Sequence, residues 1–84
     1  MYDFYFWAIL NNRMMTDIAK QFGKNVQKYR IMRKLSQEEL ANRADLHRTQ
    51  ITLIENGKRC PRLDTIYKLA SALQVKPEKL LPDC

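Results

Sequence analysis

Residues 36–59 constrain the fold of this chain more than any other stretch. They open with Ser36 and carry Glu39 one helical turn on, a pattern in which each side chain satisfies the other's orphan backbone donor at a helix start. Leu40, Ala41 and Ala44 follow at helical spacing, and the small alanines let a neighbouring helix approach closely. Asp45 tolerates left-handed backbone, and Leu46 can plug the resulting turn into a core. A further helix is expected from about Arg48 to Asn56, with Ile51 and Ile54 inward and Gly57 as its stop. Helix, tight turn and helix are therefore expected in close succession.

The rest of the chain reads the same way. Only 2 glycines and 3 prolines interrupt it, which favours helices over a turn-rich β fold. Thr16 is an expected N-cap and Asp17 suits a first turn. Ile18, Phe22, Val26 and Tyr29 then mark one face of an amphipathic helix running to about Arg33, with Lys34 and Leu35 ending it. Beyond Pro61, Leu63, Ile66, Leu69, Ala70 and Leu73 share a face of a fourth helix. Pro77 suits the first position of a short fifth helix, from which Leu80 and Leu81 would fold back on the core. The expectation is an all-α domain of five helices over residues 16–84, without internal repeats.

Residues 1–15 differ in composition. They hold Tyr2, Phe4, Tyr5, Phe6 and Trp7, and close with Met14 and Met15. Two explanations stand side by side: translation naturally begins at Met14 or Met15, or an apolar arm packs on the domain or on a second subunit. The apolar run from Phe4 to Leu10 is too short to span a membrane and lacks the flanks of a signal peptide. A cytoplasmic protein is expected.

The chain has 84 residues and a net charge of +6, which calls for a polyanionic partner or surface. No acid interrupts Lys20, Lys24, Lys28, Arg30, Arg33 and Lys34. Around Arg48, Lys58, Arg59 and Arg62 the single acid is Glu55. Cys60 and Cys84, with the lone His47, do not make a zinc site, and reduced thiols are expected. There is no Ser/His/Asp set, no glycine-rich phosphate loop and no carboxylate pair with metal spacing. The chain is therefore not expected to be an enzyme, nor to hold a cofactor, metal or small-molecule ligand.

The chain resembles the Cro/lambda-repressor-type helix-turn-helix domains of bacterial and phage regulators. Phe22-Gly23, Val26, Tyr29-Arg30 and the run from Leu35 to Ala41 carry the likeness, followed by Leu46, Ile51 and the run from Ile54 to Arg59. It continues through Pro61, Leu63, Ile66, Leu69-Ala70 and Ala72-Leu73, covering roughly residues 18–82. The resemblance implies a transcriptional regulator that binds double-stranded DNA and lays the helix at 48–56 into the major groove. Arg48, Thr49, Gln50 and Leu53 would then contact bases, as arginine can pair with guanine and methyl groups can touch thymine. Gln37, Thr52, Asn56, Lys58 and Arg59 would contact phosphates. Arg30 and Glu55 would form a structural ion pair joining the first helix to the third. His47 stands at an N-cap position where Ser, Thr or Asp is usual. It could contact phosphate when protonated or simply cap poorly. Lys34 stands where the family often has glycine, so the turn there is expected to be strained.

Controller proteins of restriction-modification systems are similar in size and in their Leu-His-Arg-Thr and Glu-Asn-Gly-Lys-Arg runs. Control of such a system or of another small operon is the first expectation. The alternatives are an antitoxin of a toxin–antitoxin pair and a protein-interaction module using the aromatic N-terminus. A homodimer reading a palindromic operator is expected, because one such domain touches too few base pairs to be specific.

Overall fold

The computed structural model describes residues 4–82, with side chains from Asp17 to Pro82. Five helices follow one another: α1 (Phe4–Met32), α2 (Gln37–Ala44), α3 (Arg48–Glu55), α4 (Leu63–Leu73) and α5 (Pro77–Leu80). No strand occurs among the described residues, so the expected all-α architecture stands.

The helix starts follow local chemistry. Ser36 Oγ accepts from the Glu39 N–H at 3.0 Å, and Glu39 Oε1 accepts from the Ser36 N–H at 3.0 Å. Pro77 opens α5 as expected. Thr16, in contrast, lies inside α1 and not at its start, because the helix continues back to Phe4. The packing of residues 1–16, on which the reading of an apolar arm depends, lies outside the described side chains.

Four of the five helix stops, those of α1 to α4, share one geometry. Lys34, Asp45, Gly57 and Gln74 all adopt left-handed backbone, with φ of 58°, 56°, 71° and 57°. In each case the next residue's N–H reaches back across the turn. Leu35 donates to Arg30 O, Leu46 to Ala41 O, Lys58 to Leu53 O and Val75 to Ala70 O, at 3.0, 2.9, 2.9 and 3.0 Å. This closes the orphan carbonyls of the final turn. Leu35, Leu46 and Val75 thereby turn into the core. Non-glycine residues in this conformation each cost about 1–2 kcal/mol, a cost offset by burying the apolar residue that follows.

The core lies between the helices. Phe22, Val26, Leu40, Ile51, Ile54, Leu69, Leu73 and Leu80 are fully buried. Three inward assignments made from spacing fail. Ile18 is exposed and Ala19 is buried in its stead. The inner face of α1 places the small Ala19 and Gly23 beside the larger Phe22 and Val26, and α3 crosses close to the helix at Gly23. A Cβ on Gly23 would collide with the carbonyl oxygen of Ile54, so only glycine permits the crossing. Leu63, in the first turn of α4, is 71% exposed, and Leu81, at the end of α5, is 45% exposed. Both sit at helix termini where no neighbouring helix continues.

Longer-range polar contacts tie the ends together. Arg33 donates from Nε to Leu73 O at 2.9 Å and from a terminal nitrogen to Gln74 O at 3.1 Å, placing a cation on the C-terminus of α4. Asn25 Nδ2 donates to Leu80 O at 3.0 Å and anchors α5 to α1.

The α2 cap is pH-sensitive. The Glu39 carboxyl is held below its ordinary value of 4.5, chiefly by the Ser36 backbone N–H, then by the Ser36 side chain, with Arg43 adding a weaker pull. Because the folded value is the lower one, the stabilisation is complete above the ordinary value and is lost as pH falls through the depressed one. Glu39→Gln is therefore expected to be less stable than the parent near neutral pH, with the gap closing on acidification. Urea denaturation at a series of pH values from about 7 down to about 3 reads this directly. A gap independent of pH would assign the cap to neutral hydrogen bonds alone.

Candidate nucleic-acid interface

The sequence-predicted site residues assemble around α3, and a network of side-chain hydrogen bonds lies behind that helix. Arg30 Nε donates to Glu55 Oε2 at 2.6 Å and a terminal nitrogen donates to Oε1 at 3.1 Å, a two-pronged pairing of guanidinium and carboxylate. The other terminal nitrogen donates to Leu35 O at 2.8 Å. One arginine on α1 thus holds both the end of α3 and the turn into α2. The Glu55 side chain is only 2% exposed and that of Arg30 only 13%. The expected ion pair is present, and its burial makes it a structural element.

Gln37 and Thr52 extend the same network. Gln37 Nε2 donates to Glu55 Oε1 at 3.1 Å, and the Thr52 hydroxyl donates to Gln37 Oε1 at 3.0 Å. Side chains from α1, α2 and α3 are therefore joined in one chain of bonds. The family resemblance implies phosphate contacts for Gln37 and Thr52 and does not connect them to the ion pair.

The N-terminal end of α3 is differently organised. His47 makes no side-chain cap hydrogen bond. Gln50 Oε1 instead accepts from the His47 N–H at 3.0 Å. Gln50 thus serves the helix start through its amide oxygen, and its amide nitrogen remains able to donate. It is half-buried, on the side of α3 that faces a shallow groove lined by Ile54, Arg59, Cys60, Pro61, Arg62 and Thr65. Arg48 and Thr49 are exposed at the first turn of α3, which carries no acid. Leu53, which the resemblance places among the base contacts, is half-buried.

At the other end, Asn56, Lys58 and Arg59 are all exposed. Gly57 packs so closely on Lys20 that a Cβ would meet its backbone and side chain. This contact brings an exposed lysine of α1 alongside the basic loop, a neighbour that spacing along the sequence does not reveal. The free N-terminal N–H groups of α3, its positive dipole end and the flanking Arg48 form an electropositive end. With Lys58, Arg59 and Lys20 at the opposite end, α3 lies between basic flanks.

A half-buried helix between basic flanks, braced from behind by a buried ion pair, is a helix-turn-helix reading head. A family model described as Helix-turn-helix matches residues 26–80, and the chain belongs to that family of DNA-binding regulators. Among relatives, Control protein C.BamHI of Bacillus amyloliquefaciens is 45% identical over 69 residues, which is 81% of this chain and 85% of that protein. Control protein C.SmaI of Serratia marcescens is 43% identical over 65 residues, 77% of each chain. The crystal structure of the restriction-modification controller protein C.AhdI from Aeromonas hydrophila matches with a TM-score of 0.73 at 36% identity, covering 75% of this chain and 96% of that one. Among the described residues there is no cluster able to hold a metal ion and no helix long and apolar enough to cross a membrane.

Removing one partner of the ion pair leaves the other charge stranded. Arg30→Ala is expected to lose about 3 kcal/mol of folding stability, since the buried Glu55 carboxylate keeps only Gln37. Urea denaturation measures it. A loss under about 1 kcal/mol would place the pair with ordinary surface salt bridges.

Proposed function

We propose that this protein is a transcriptional regulator of the restriction-modification controller type, acting by binding operator DNA as a homodimer. The observation that carries the reading is the bracing of α3: Arg30, Glu55 and Gln37 fix its orientation while Arg48 and Thr49 stay exposed at its first turn. Similarity to control proteins along most of the chain supports the controller role over the antitoxin.

In this reading the N-terminal end of α3 enters the major groove. Arg48 pairs with a guanine edge, and Thr49 and Leu53 touch thymine methyls. Gln50 keeps its oxygen on the His47 N–H and turns its amide nitrogen, with two protons to donate, toward a base. Gln37, Asn56, Lys58 and Arg59 grip phosphates, with Lys20 adding charge at the same end; these contacts set register without reading sequence. The dimer places two copies of α3 about one helical turn apart, ~34 Å. The exposed Leu63 and Tyr67 on α4 offer apolar surface for that association.

Selection of bound duplexes from a random pool tests the function directly. A palindromic consensus supports both sequence-specific binding and the dimer; no enrichment rejects the reading. On the recovered sequence, Arg48→Ala is expected to lose about 1–3 kcal/mol and to relax preference at one position per half-site. Lys58→Ala should weaken all sequences alike and lower the salt slope by about one. Equal behaviour of the two variants across operator substitutions would sink this division of roles.

A further inference from the structure

Glu55 dictates the direction of every proton in the network behind α3. Its carboxylate, paired with Arg30, only accepts, so the Gln37 atom facing it at 3.1 Å is the amide nitrogen. The amide oxygen therefore faces Thr52, and the Thr52 hydroxyl donates to it at 3.0 Å. A hydroxyl has a single proton. Its alternative acceptor is the Arg48 carbonyl at 3.2 Å, and a phosphate offers only acceptors. With either internal acceptor, Thr52 keeps no proton for DNA. Gln37 differs, because its amide nitrogen carries a second proton beyond the one given to Glu55. Gln37 opens α2 and is half-buried, so part of the residue faces solvent at a helix N-terminus.

We propose that Thr52 does not contact DNA but is a positioning residue. It holds the Gln37 amide oxygen so that the free N–H of the same amide is presented to a backbone phosphate. This replaces the direct phosphate contact that the family resemblance implies for Thr52, and it rests on the DNA-binding reading above. Without the hydroxyl, the amide oxygen loses its donor and the amide is free to turn away from the phosphate. Thr52 then influences DNA only through Gln37.

A double-mutant cycle separates the two roles. The probe is a fluorescent duplex carrying the sequence recovered from the random pool, read by anisotropy. Thr52→Val removes the proton and is expected to weaken binding about 3- to 10-fold, the scale of one neutral hydrogen bond. Thr52→Ser keeps the hydroxyl and should stay within about twofold of the parent. In a Gln37→Ala background, Thr52→Val should cause no further loss. A second full loss in that background means that Thr52 touches phosphate itself, and overturns the proposal. So does a Thr52→Val variant that binds like the parent. Thr52→Ala repeats the cycle should the valine variant fail to fold at the assay temperature. Failure of the parent chain to bind any duplex in the pool would instead reject the DNA-binding reading, and is seen before any variant is made.

Discussion

The rest of the structure depends on a buried carboxylate. Glu55 cannot be left at 2% side-chain exposure without partners, because an unpaired buried charge costs several kcal/mol. It draws Arg30 from α1 and Gln37 from α2 to the end of α3. Arg30 in turn takes the Leu35 carbonyl, which sets the turn between α1 and α2. Apolar packing alone would let α3 rock against its neighbours. A charge that accepts hydrogen bonds from two other helices in defined directions gives one orientation, and a reading helix needs one orientation.

The same demand accounts for Gly23. Bringing α1 near enough for Arg30 to reach Glu55 forces the α1 backbone against the Ile54 and Glu55 carbonyls. Any side chain at that crossing would open the gap and lengthen the bonds behind it. Ala19 and Gly23, together with Phe22 and Val26 and not Ile18, therefore mark the contact face of α1.

Local chemistry was legible in the sequence. Ser36 with Glu39, Asp45, Gly57 and Pro77 each act within one turn of their own position, and each does what its residue type predicts. The strain expected at Lys34 is also there, as a left-handed residue. Gln74 escaped notice because nothing about glutamine favours that backbone; the burial of Val75 imposes it. Leu63, Leu81 and Ile18 were misplaced because a helical period shows which residues share a face but not where the neighbouring helices end. The site was legible as a set of residues and not as a set of bonds. Gln37, Gln50 and Thr52 are polar at family positions, yet what each bonds is decided by side chains on other elements. No spacing rule connects Gln37 to Glu55 and Thr52, or turns Gln50 back to the His47 N–H.

The four matching helix stops have a kinetic consequence. Each of these four stops is closed by a bond between residues five apart in sequence, so the turn contacts are local even where burial of the following residue holds them in place. Helical bundles dominated by such local contacts fold in about microseconds to milliseconds. Synthesis of a chain this short takes seconds at ribosomal rates of about 5–20 residues per second. Folding of the domain is thus faster than its synthesis, and any delay before it acts does not lie in its folding.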